Sequence, residues 1–234
     1  MHDLTTTIRT AGFAFLHAGA MRLALEQHGS LTDWATFAGS WDDLGQDTYM
    51  ADGGRYRKRR HAVFRMAGGA WDRLPSQPHY QSRDYNALNG GIERWFQPVL
   101  PSTASGASMT AILHFCSALF GALTPAPSWF VEMHQFRIEV RTGETGRPTP
   151  EGMHRDGVDH VLVLLIRRQN VRSGVTSVHD LTGRTLGSFT LTEPLDAALV
   201  EDRRVMHGVT PVEPVDPISV GYRDVLVLTF KREG

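Results

Sequence analysis

The stretch GMHRDGVDHVLVLLI, residues 152–166, decides the fold that this sequence predicts. It opens with a polar segment in which His154 and Asp156 are two residues apart, and it continues as an unusually apolar run over residues 158–166. Side chains two apart on a strand point to the same face, so this imidazole and this carboxylate can reach one point. The apolar run is typical of a strand that is buried on both faces. The stretch therefore predicts a buried strand that begins beside a chelating pair.

Other segments of the second half also have the pattern of strands. Residues 181–183, which end in Gly183, are typical of a hairpin turn between two of these segments. The absence of helical periodicity between the segments argues against crossover helices and favours an antiparallel sandwich or barrel. The predicted strands are residues 129–141, 175–180, 184–191, 197–206 and 225–230.

The first half of the chain has a different character. Helical spacing of apolar residues predicts helices over residues 13–27, from Thr32 onward and over residues 107–123, whereas residues 51–104 predict loops and short strands. We therefore predict an α+β protein in which helices cover one sheet of a jelly-roll barrel. The prediction is a single domain, 1–234, in which residues 1–124 are mainly helical and loop cover and residues 125–234 form the barrel core.

The composition excludes several classes of function. The formal net charge is −1, 41% of residues are hydrophobic and 21% are charged, so we expect a folded protein that binds neither nucleic acid nor membrane. The single cysteine, Cys116, permits no internal disulfide, and the N-terminus lacks the pattern of a signal peptide. These features predict a cytoplasmic protein.

A third ligand for the chelating pair is expected from another strand. The best candidate is His207, which follows the predicted strand 197–206 and precedes a glycine. Two histidines and one carboxylate form the facial triad of non-haem iron(II) oxygenases, which leaves adjacent coordination positions open. The sequence therefore predicts a metal site at His154, Asp156 and His207, and these are also the predicted catalytic residues.

These three residues, followed by Arg223, resemble the His-X-Asp…His…Arg pattern of the iron(II)/2-oxoglutarate-dependent dioxygenases. Three shorter segments are similar to one branch, the bacterial free L-amino-acid hydroxylases, which are L-isoleucine dioxygenase-like and include biofilm-associated homologues. The resemblance covers residues 55–231 approximately. The segments are GMHRDGVD (152–159), RWFQP (94–98) and HQFR (134–137).

The resemblance implies a double-stranded β-helix, the jelly-roll or cupin-like barrel, with iron(II), 2-oxoglutarate as co-substrate and dioxygen. It also implies that Arg223 pairs with the far carboxylate of 2-oxoglutarate, because a planar guanidinium binds a carboxylate with two hydrogen bonds. Rivals for this role are Arg203, Arg204 and Arg232. Gln135 points away from His134 on its predicted strand and is a further candidate for contact with the co-substrate.

The implied reaction is hydroxylation or sulfoxidation of a small free L-amino acid such as leucine, isoleucine or methionine. Candidate substrate anchors are Asp159 for the ammonium group and Arg137 or Arg94 for the carboxylate. Three alternatives stay open: a dioxygenase for a protein or carrier-bound side chain, a non-catalytic cupin-type metal-binding sensor, and an iron enzyme that does not use 2-oxoglutarate. The sequence leaves the oligomeric state open.

Overall fold

A computed structural model describes residues 2–233 of the chain. The helices are α1 (His2–Ala11), α2 (Ala18–Glu26), α3 (Trp34–Gly39), a 3-10 helix (Ser40–Asp43), α4 (Pro101–Ala104) and α5 (Ala107–Leu123). The strands of the first half are β1 (Phe13–Leu16), β2 (Gly45–Gln46), β3 (Arg57–Ala67), β4 (Ala70–Arg73), β5 (His79–Tyr80) and β6 (Glu93–Arg94). The strands of the second half are β7 (Ser128–Val140), β8 (His160–Gln169), β9 (Val171–Ser173), β10 (Val175–Asp180), β11 (Thr185–Thr190), β12 (Ala197–Glu201), β13 (Val205–Val209), β14 (Val212–Pro214) and β15 (Gly221–Glu233).

Most strands form one large antiparallel sheet in the order β1-β12-β8-β15-β7-β3-β2, with β4 paired to β3. A smaller sheet has the order β11-β10-β13 and faces the large one. The contact between them is a cluster of buried valines in which Val178 of β10 packs with Val161 of β8 and Val200 of β12. Two facing antiparallel sheets joined in this way form the double-stranded β-helix that the sequence predicts.

Helices cover the outer face of the large sheet, again as predicted. Leu226 and Leu228 of β15 belong to the same buried cluster as Met109 and Ile112 of α5. Val225 and Val227 alternate with these leucines along β15 and face the other way, towards the smaller sheet, so this central strand is buried on both faces. Burial of one such leucine contributes about 1.5–3 kcal/mol. No helix within residues 2–233 is long and apolar enough to cross a membrane.

The N-terminal segment differs from the prediction of one helix over residues 13–27. Gly12 has φ of +81° and ends α1, and β1 then pairs antiparallel with β12 before α2 begins at Ala18. A side chain at residue 12 would place Cβ 2.6 Å from Val205. The pairing partner lies almost 190 residues away along the chain, and such a contact outweighs local helix propensity.

The long strand β3 is the main departure from the prediction of loops over residues 51–104. It pairs with β7 along its whole length, so the large sheet includes strands from the half of the chain that the sequence analysis treated as cover. Arg57, Arg59 and His61 on one face of β3 are buried but polar, and so is Arg60 on the other face. Because both faces carry polar side chains, β3 lacks the apolar alternation by which a strand is recognised in sequence.

The predicted strand over residues 197–206 is two strands in different sheets. A turn at residues 202–204, in which Arg204 N–H donates to the Glu201 carbonyl at 3.0 Å, separates β12 from β13. The turn carries His207 from the large sheet to the smaller one. His207 thereby faces the segment that contains His154.

Candidate active site

His154 and His207 are neighbours across a short antiparallel bridge. The N–H of His154 donates to the carbonyl of His207 at 3.0 Å, and the N–H of His207 donates to the carbonyl of His154 at 2.9 Å. Their ring centroids are 4.6 Å apart. The bridge therefore fixes both imidazoles on the same side of the backbone pair.

Asp156 is held by a buried carboxylate that the sequence analysis missed. Asp202, in the turn between β12 and β13, accepts the N–H groups of Asp156, Gly157 and Val158 at 2.8, 2.8 and 3.1 Å. Gly157 has φ of +81°, and a side chain there would collide with the ring of Tyr85. Asp202 and the glycine together set the direction in which the Asp156 side chain leaves the backbone.

The three predicted ligands converge. Asp156 Oδ1 lies 3.7 Å from His154 Nε2, and Asp156 Oδ2 lies 3.7 Å from His207 Nε2. One ligand atom from each residue lies within 4.8 Å of the others. Neighbouring ligands around one divalent ion, with bonds of about 2.0–2.2 Å, are separated by about 3–4 Å. The residues present therefore fit one metal ion with nitrogen and oxygen ligands.

The protonation state of each triad residue follows from burial and from its neighbours in the triad. Burial and the positive charge of His154 lower the pKa of His207 to about 4, which keeps its ring neutral. Burial acts to lower the pKa of His154, but the nearby carboxylate of Asp156 outweighs this and raises it to about 9, so a metal ion that binds here displaces a proton from the ring. Against the effect of burial, His154 holds the pKa of Asp156 below its ordinary value, so the carboxylate is ionised. An ionised carboxylate beside imidazole nitrogens is the donor set of a divalent metal.

A cavity of about 510 Å³ adjoins the triad, and Arg223 lies in its wall. Arg223 is 2% exposed, and its Nε and Nη2 are buried without a hydrogen-bond partner. An unpaired buried donor costs about 1–3 kcal/mol, and more when it is charged. Such a guanidinium, in the wall of the same cavity as the triad, is set up to receive an anionic ligand.

Arg94 is a second buried arginine in the cavity wall. It is 2% exposed, and its Nε and Nη2 also have no hydrogen-bond partner. Arg94 lies on β6, which pairs with β5, and its partner across the two strands is His79. The cavity can therefore hold two separate anionic groups, one at Arg223 and one at Arg94.

Three other predicted site residues lie outside the cavity. Gln135 faces the helices and donates to Ser40 Oγ at 2.8 Å, because the cavity side of β7 is formed by Glu132, His134 and their alternate neighbours. Gln135 thus cannot reach a co-substrate in the cavity, and its predicted role is corrected. Arg137 shares this outward face of β7, where its Nε and Nη2 donate to the carboxylate of Asp224 at 2.7 and 2.8 Å.

The third of these residues is Asp159, the predicted ammonium anchor. Its carboxylate is paired with Arg203 Nε at 2.7 Å and with Arg232 Nε at 3.0 Å, and it does not line the cavity. These pairings also occupy two of the three arginines that rivalled Arg223. The third rival, Arg204, donates to the carbonyl of Arg9 at 2.6 Å.

The cavity contains a second group of ionisable side chains that was not predicted as a site. His61 Nε2 and His79 Nδ1 donate to Glu132 Oε1 at 3.0 and 2.7 Å. Arg59 Nη2 donates to His134 Nδ1 at 2.7 Å. We call His61, His79, Glu132 and His134 the inner cluster. The sequence signal was the spacing of Glu132 and His134, which are two apart on a strand as His154 and Asp156 are two apart.

Comparisons with known proteins agree with this geometry. A model of the 2OG-Fe dioxygenase family matches residues 38–229. The 3(1)-hydroxy-L-isoleucine 4-dioxygenase of Pantoea ananatis is 26% identical over 159 residues, which are 66% of this chain and 64% of that protein. The L-isoleucine-4-hydroxylase of Bacillus thuringiensis is 25% identical over 159 residues, 66% of this chain and 65% of that protein. The matched region thus spans slightly less than two thirds of each relative.

A solved structure matches over a longer region. The crystal structure of a bsmA homolog from Methylobium petroleophilum superposes with a TM-score of 0.91 at 38% sequence identity, and the match covers 100% of this chain and 93% of that one. The architecture described above is therefore shared along the full length of the chain.

Proposed function

The chain belongs to the 2OG-Fe dioxygenase family, and from this premise we propose that it is an iron(II)- and 2-oxoglutarate-dependent dioxygenase that oxidises a small free L-amino acid. The family accounts for iron(II), 2-oxoglutarate and dioxygen as the groups that the site requires. Under this proposal His154, Asp156 and His207 hold the metal. Relatives named as L-isoleucine 4-hydroxylase and 3(1)-hydroxy-L-isoleucine 4-dioxygenase support the choice of amino-acid substrate.

The observation that carries the proposal is the buried, unpaired guanidinium of Arg223 in the wall of the same cavity as the triad. Burial and the nearby charge of Arg168 lower the pKa of Arg223 to about 10, so it still carries a proton at neutral pH. A charged donor with no internal partner is stabilised by a ligand carboxylate, which satisfies its hydrogen bonds and its charge. We assign the far carboxylate of 2-oxoglutarate to Arg223.

The protein itself has to position the substrate relative to the metal. Bound iron(II) with 2-oxoglutarate and dioxygen supplies the oxidising power that inserts an oxygen atom into an unactivated bond. The chain has to hold a flexible substrate so that one bond lies beside the metal, and fixed geometry of this kind is a major source of rate enhancement. Arg94, buried and unpaired on the same cavity, is the candidate for the substrate carboxylate.

The apolar part of the cavity fits an aliphatic or sulfur-containing side chain. Val163, Val225 and Val227 line it on the same face of the large sheet as Arg223. A cavity with a few fixed polar groups and apolar walls is the usual form of a small-molecule site. Among the alternatives, a carrier-bound or protein side chain would not bring the free carboxylate that Arg94 is placed to bind.

The experiment is a panel of the twenty amino acids, in which succinate formation is measured with iron(II), 2-oxoglutarate and oxygen. We expect L-leucine, L-isoleucine or L-methionine to stimulate succinate formation and the D-enantiomers to leave it at background, because inversion of the α-carbon misplaces an anchor or the side chain. Turnover with a peptide and with no free amino acid would contradict the substrate. Absence of turnover with every substrate, in a protein that binds metal, would favour the sensor.

A further inference from the structure

The inner cluster is built to hold one carboxylate in a fixed position. Glu132 lies on the cavity side of β7, and both His61 and His79 donate to the same oxygen, Oε1. Within residues 2–233, no hydrogen bond reaches the other oxygen, Oε2. Burial would raise the pKa of Glu132, but the charge of His79 and the hydrogen bonds of both histidines hold it below its ordinary value. The cavity thus contains an ionised carboxylate with one oxygen free to accept.

A metal ion is the first alternative for this cluster, since its ligand atoms lie within 4.8 Å of one another. The hydrogen bonds argue against it. Arg59 donates to Nδ1 of His134, so that nitrogen's lone pair is used and the proton of the neutral ring is on Nε2. His61 and His79 use their N–H groups towards Glu132. The guanidinium of Arg59, 2.7 Å from the ring of His134, also repels a second cation.

The position of Glu132 relative to the triad suits an amino acid. His79 holds Glu132, and two residues further on Gln81 Nε2 donates to the carbonyl of Asp156 at 3.1 Å. Glu132, Arg94 and the three metal ligands all line this one cavity, so a single small molecule can contact them together.

We propose that Glu132 Oε2 accepts the ammonium group of the substrate while Arg94 binds its carboxylate, with His61 and His79 as positioning residues that orient Glu132. This inference rests on the proposed function. The other acidic side chain of the cavity wall, Glu151, has its Oε1 3.5 Å from Nε2 of the metal ligand His154 and belongs to the metal side. The pair of anchors selects an L-amino acid through three fixed points: Glu132, Arg94 and the metal.

The test compares a substrate with its desamino analogue. The holoenzyme with iron(II) and 2-oxoglutarate, kept free of oxygen, is titrated by calorimetry with the amino acid that the panel identifies, for example L-leucine, and with 4-methylpentanoate, which lacks the ammonium group. In Glu132→Gln, the dissociation constant of L-leucine should rise on the order of 10- to 100-fold, as expected for loss of a charge-assisted hydrogen bond. The dissociation constant of 4-methylpentanoate should change less than threefold, roughly within the spread expected for an uncharged contact.

Two further variants keep the test decisive. Glu132→Asp retains the charge and shortens the side chain by one methylene, so it should weaken L-leucine binding less than Glu132→Gln does. Glu139→Gln, on the outward face of the same strand and paired with Lys58, is the matched control and should bind both ligands as the unmodified protein does. Unchanged 2-oxoglutarate affinity and an unchanged unfolding temperature show that each variant is folded.

The outcomes separate this inference from the proposed function. Equal weakening of L-leucine and 4-methylpentanoate, or no weakening of either, contradicts the role of Glu132 and leaves the amino-acid oxygenase standing. The same holds if Glu151→Gln causes the selective loss instead, or if a second metal ion per chain is bound and is lost in Glu132→Gln. Failure of the unmodified holoenzyme to bind any free amino acid contradicts the proposed function itself, and this inference with it.

Discussion

The cavity contains two groups of histidine and carboxylate side chains, and they differ in what their polar atoms are already bonded to. In the triad, Nε2 of His154 and of His207 face the carboxylate of Asp156 at 3.7 Å, which is too far for a hydrogen bond and suits an ion between them. In the inner cluster, His79 Nδ1 and Glu132 Oε1 are 2.7 Å apart and bonded directly.

The comparison shows that residue type and proximity do not by themselves define a metal site. Both groups consist of the side chains that divalent metals prefer, and both bring their ligand atoms within 4.8 Å. What separates them is the neighbouring charge: an arginine donates to His134 of the inner cluster, whereas the carboxylate of Glu151 lies 3.5 Å from His154 of the triad. We therefore assign the metal to the triad and a substrate ammonium to the inner cluster.

The largest expected effect is loss of the metal from the triad. Asp156→Ala removes the carboxylate that faces both His154 and His207, so metal binding and turnover should both fall below detection. Glu132→Gln should retain one metal ion per chain, which elemental analysis after dialysis against iron(II) or nickel(II) measures. Loss of the ion in Glu132→Gln and its retention in Asp156→Ala would reverse the assignment of the two groups.

The next effect is that of Arg223→Ala on the co-substrate. Removal of a charge-assisted pair should raise the KM for 2-oxoglutarate about 30- to 150-fold, while metal content stays the same. Arg203→Ala is the matched control, because Arg203 pairs with Asp159 outside the cavity, and it should leave this KM unchanged. An unchanged KM in Arg223→Ala would place the carboxylate anchor elsewhere, with Arg94 as the first candidate.

A smaller effect is expected at Asp202, which orients a ligand without touching the metal site. In Asp202→Asn, an NH2 group replaces an oxygen that accepts N–H groups from Gly157 and Val158, so the loop that carries Asp156 should loosen. Groups that support a metal ligand typically contribute 10- to 100-fold in metal affinity, and we expect a loss of about this size. Full metal affinity in a folded Asp202→Asn protein would show that the loop is held by other contacts.

The smallest effect concerns Gln135, which the sequence places beside the site and the structure places outside it. Gln135→Ala should leave the KM for 2-oxoglutarate unchanged. It should lower the free energy of unfolding by about 1 kcal/mol through loss of the hydrogen bond to Ser40. Urea unfolding together with initial rates checks both points. A change in KM with no change in stability would return Gln135 to the co-substrate site.

Local patterns in the sequence predicted much of the fold. Helix α5 over residues 107–123 and the hairpin of β10 and β11 follow from periodicity and turn residues that lie within one short window. The metal triad was also accessible, because His154 and Asp156 are two apart and His207 precedes a glycine at the end of the predicted strand 197–206. These features were predictable because their interactions join residues that are close in sequence, or because they require residue types and spacings that the sequence shows directly.

The rest depended on contacts between distant segments. Strand β3 is stabilised at buried polar positions by ion pairs such as that of Arg57 with Asp47, at 2.8 Å, so its sequence carries no apolar alternation. Asp202 could not be distinguished from a surface turn residue until its three N–H partners, more than 40 residues away, were known. The spacing of Glu132 and His134 is the same as that of the metal-binding pair, and contacts with distant residues such as Arg59 and His79 show that the two have different roles.

The measurement that tests the account most directly is a crystal structure of the protein with bound metal and 2-oxoglutarate, in which anomalous scattering locates the metal. The account predicts one anomalous peak per chain, with His154, Asp156 and His207 at about 2.0–2.2 Å and with the far carboxylate of 2-oxoglutarate on the guanidinium of Arg223. A peak among His61, His79, Glu132 and His134, or a triad residue turned away from the metal, would contradict it.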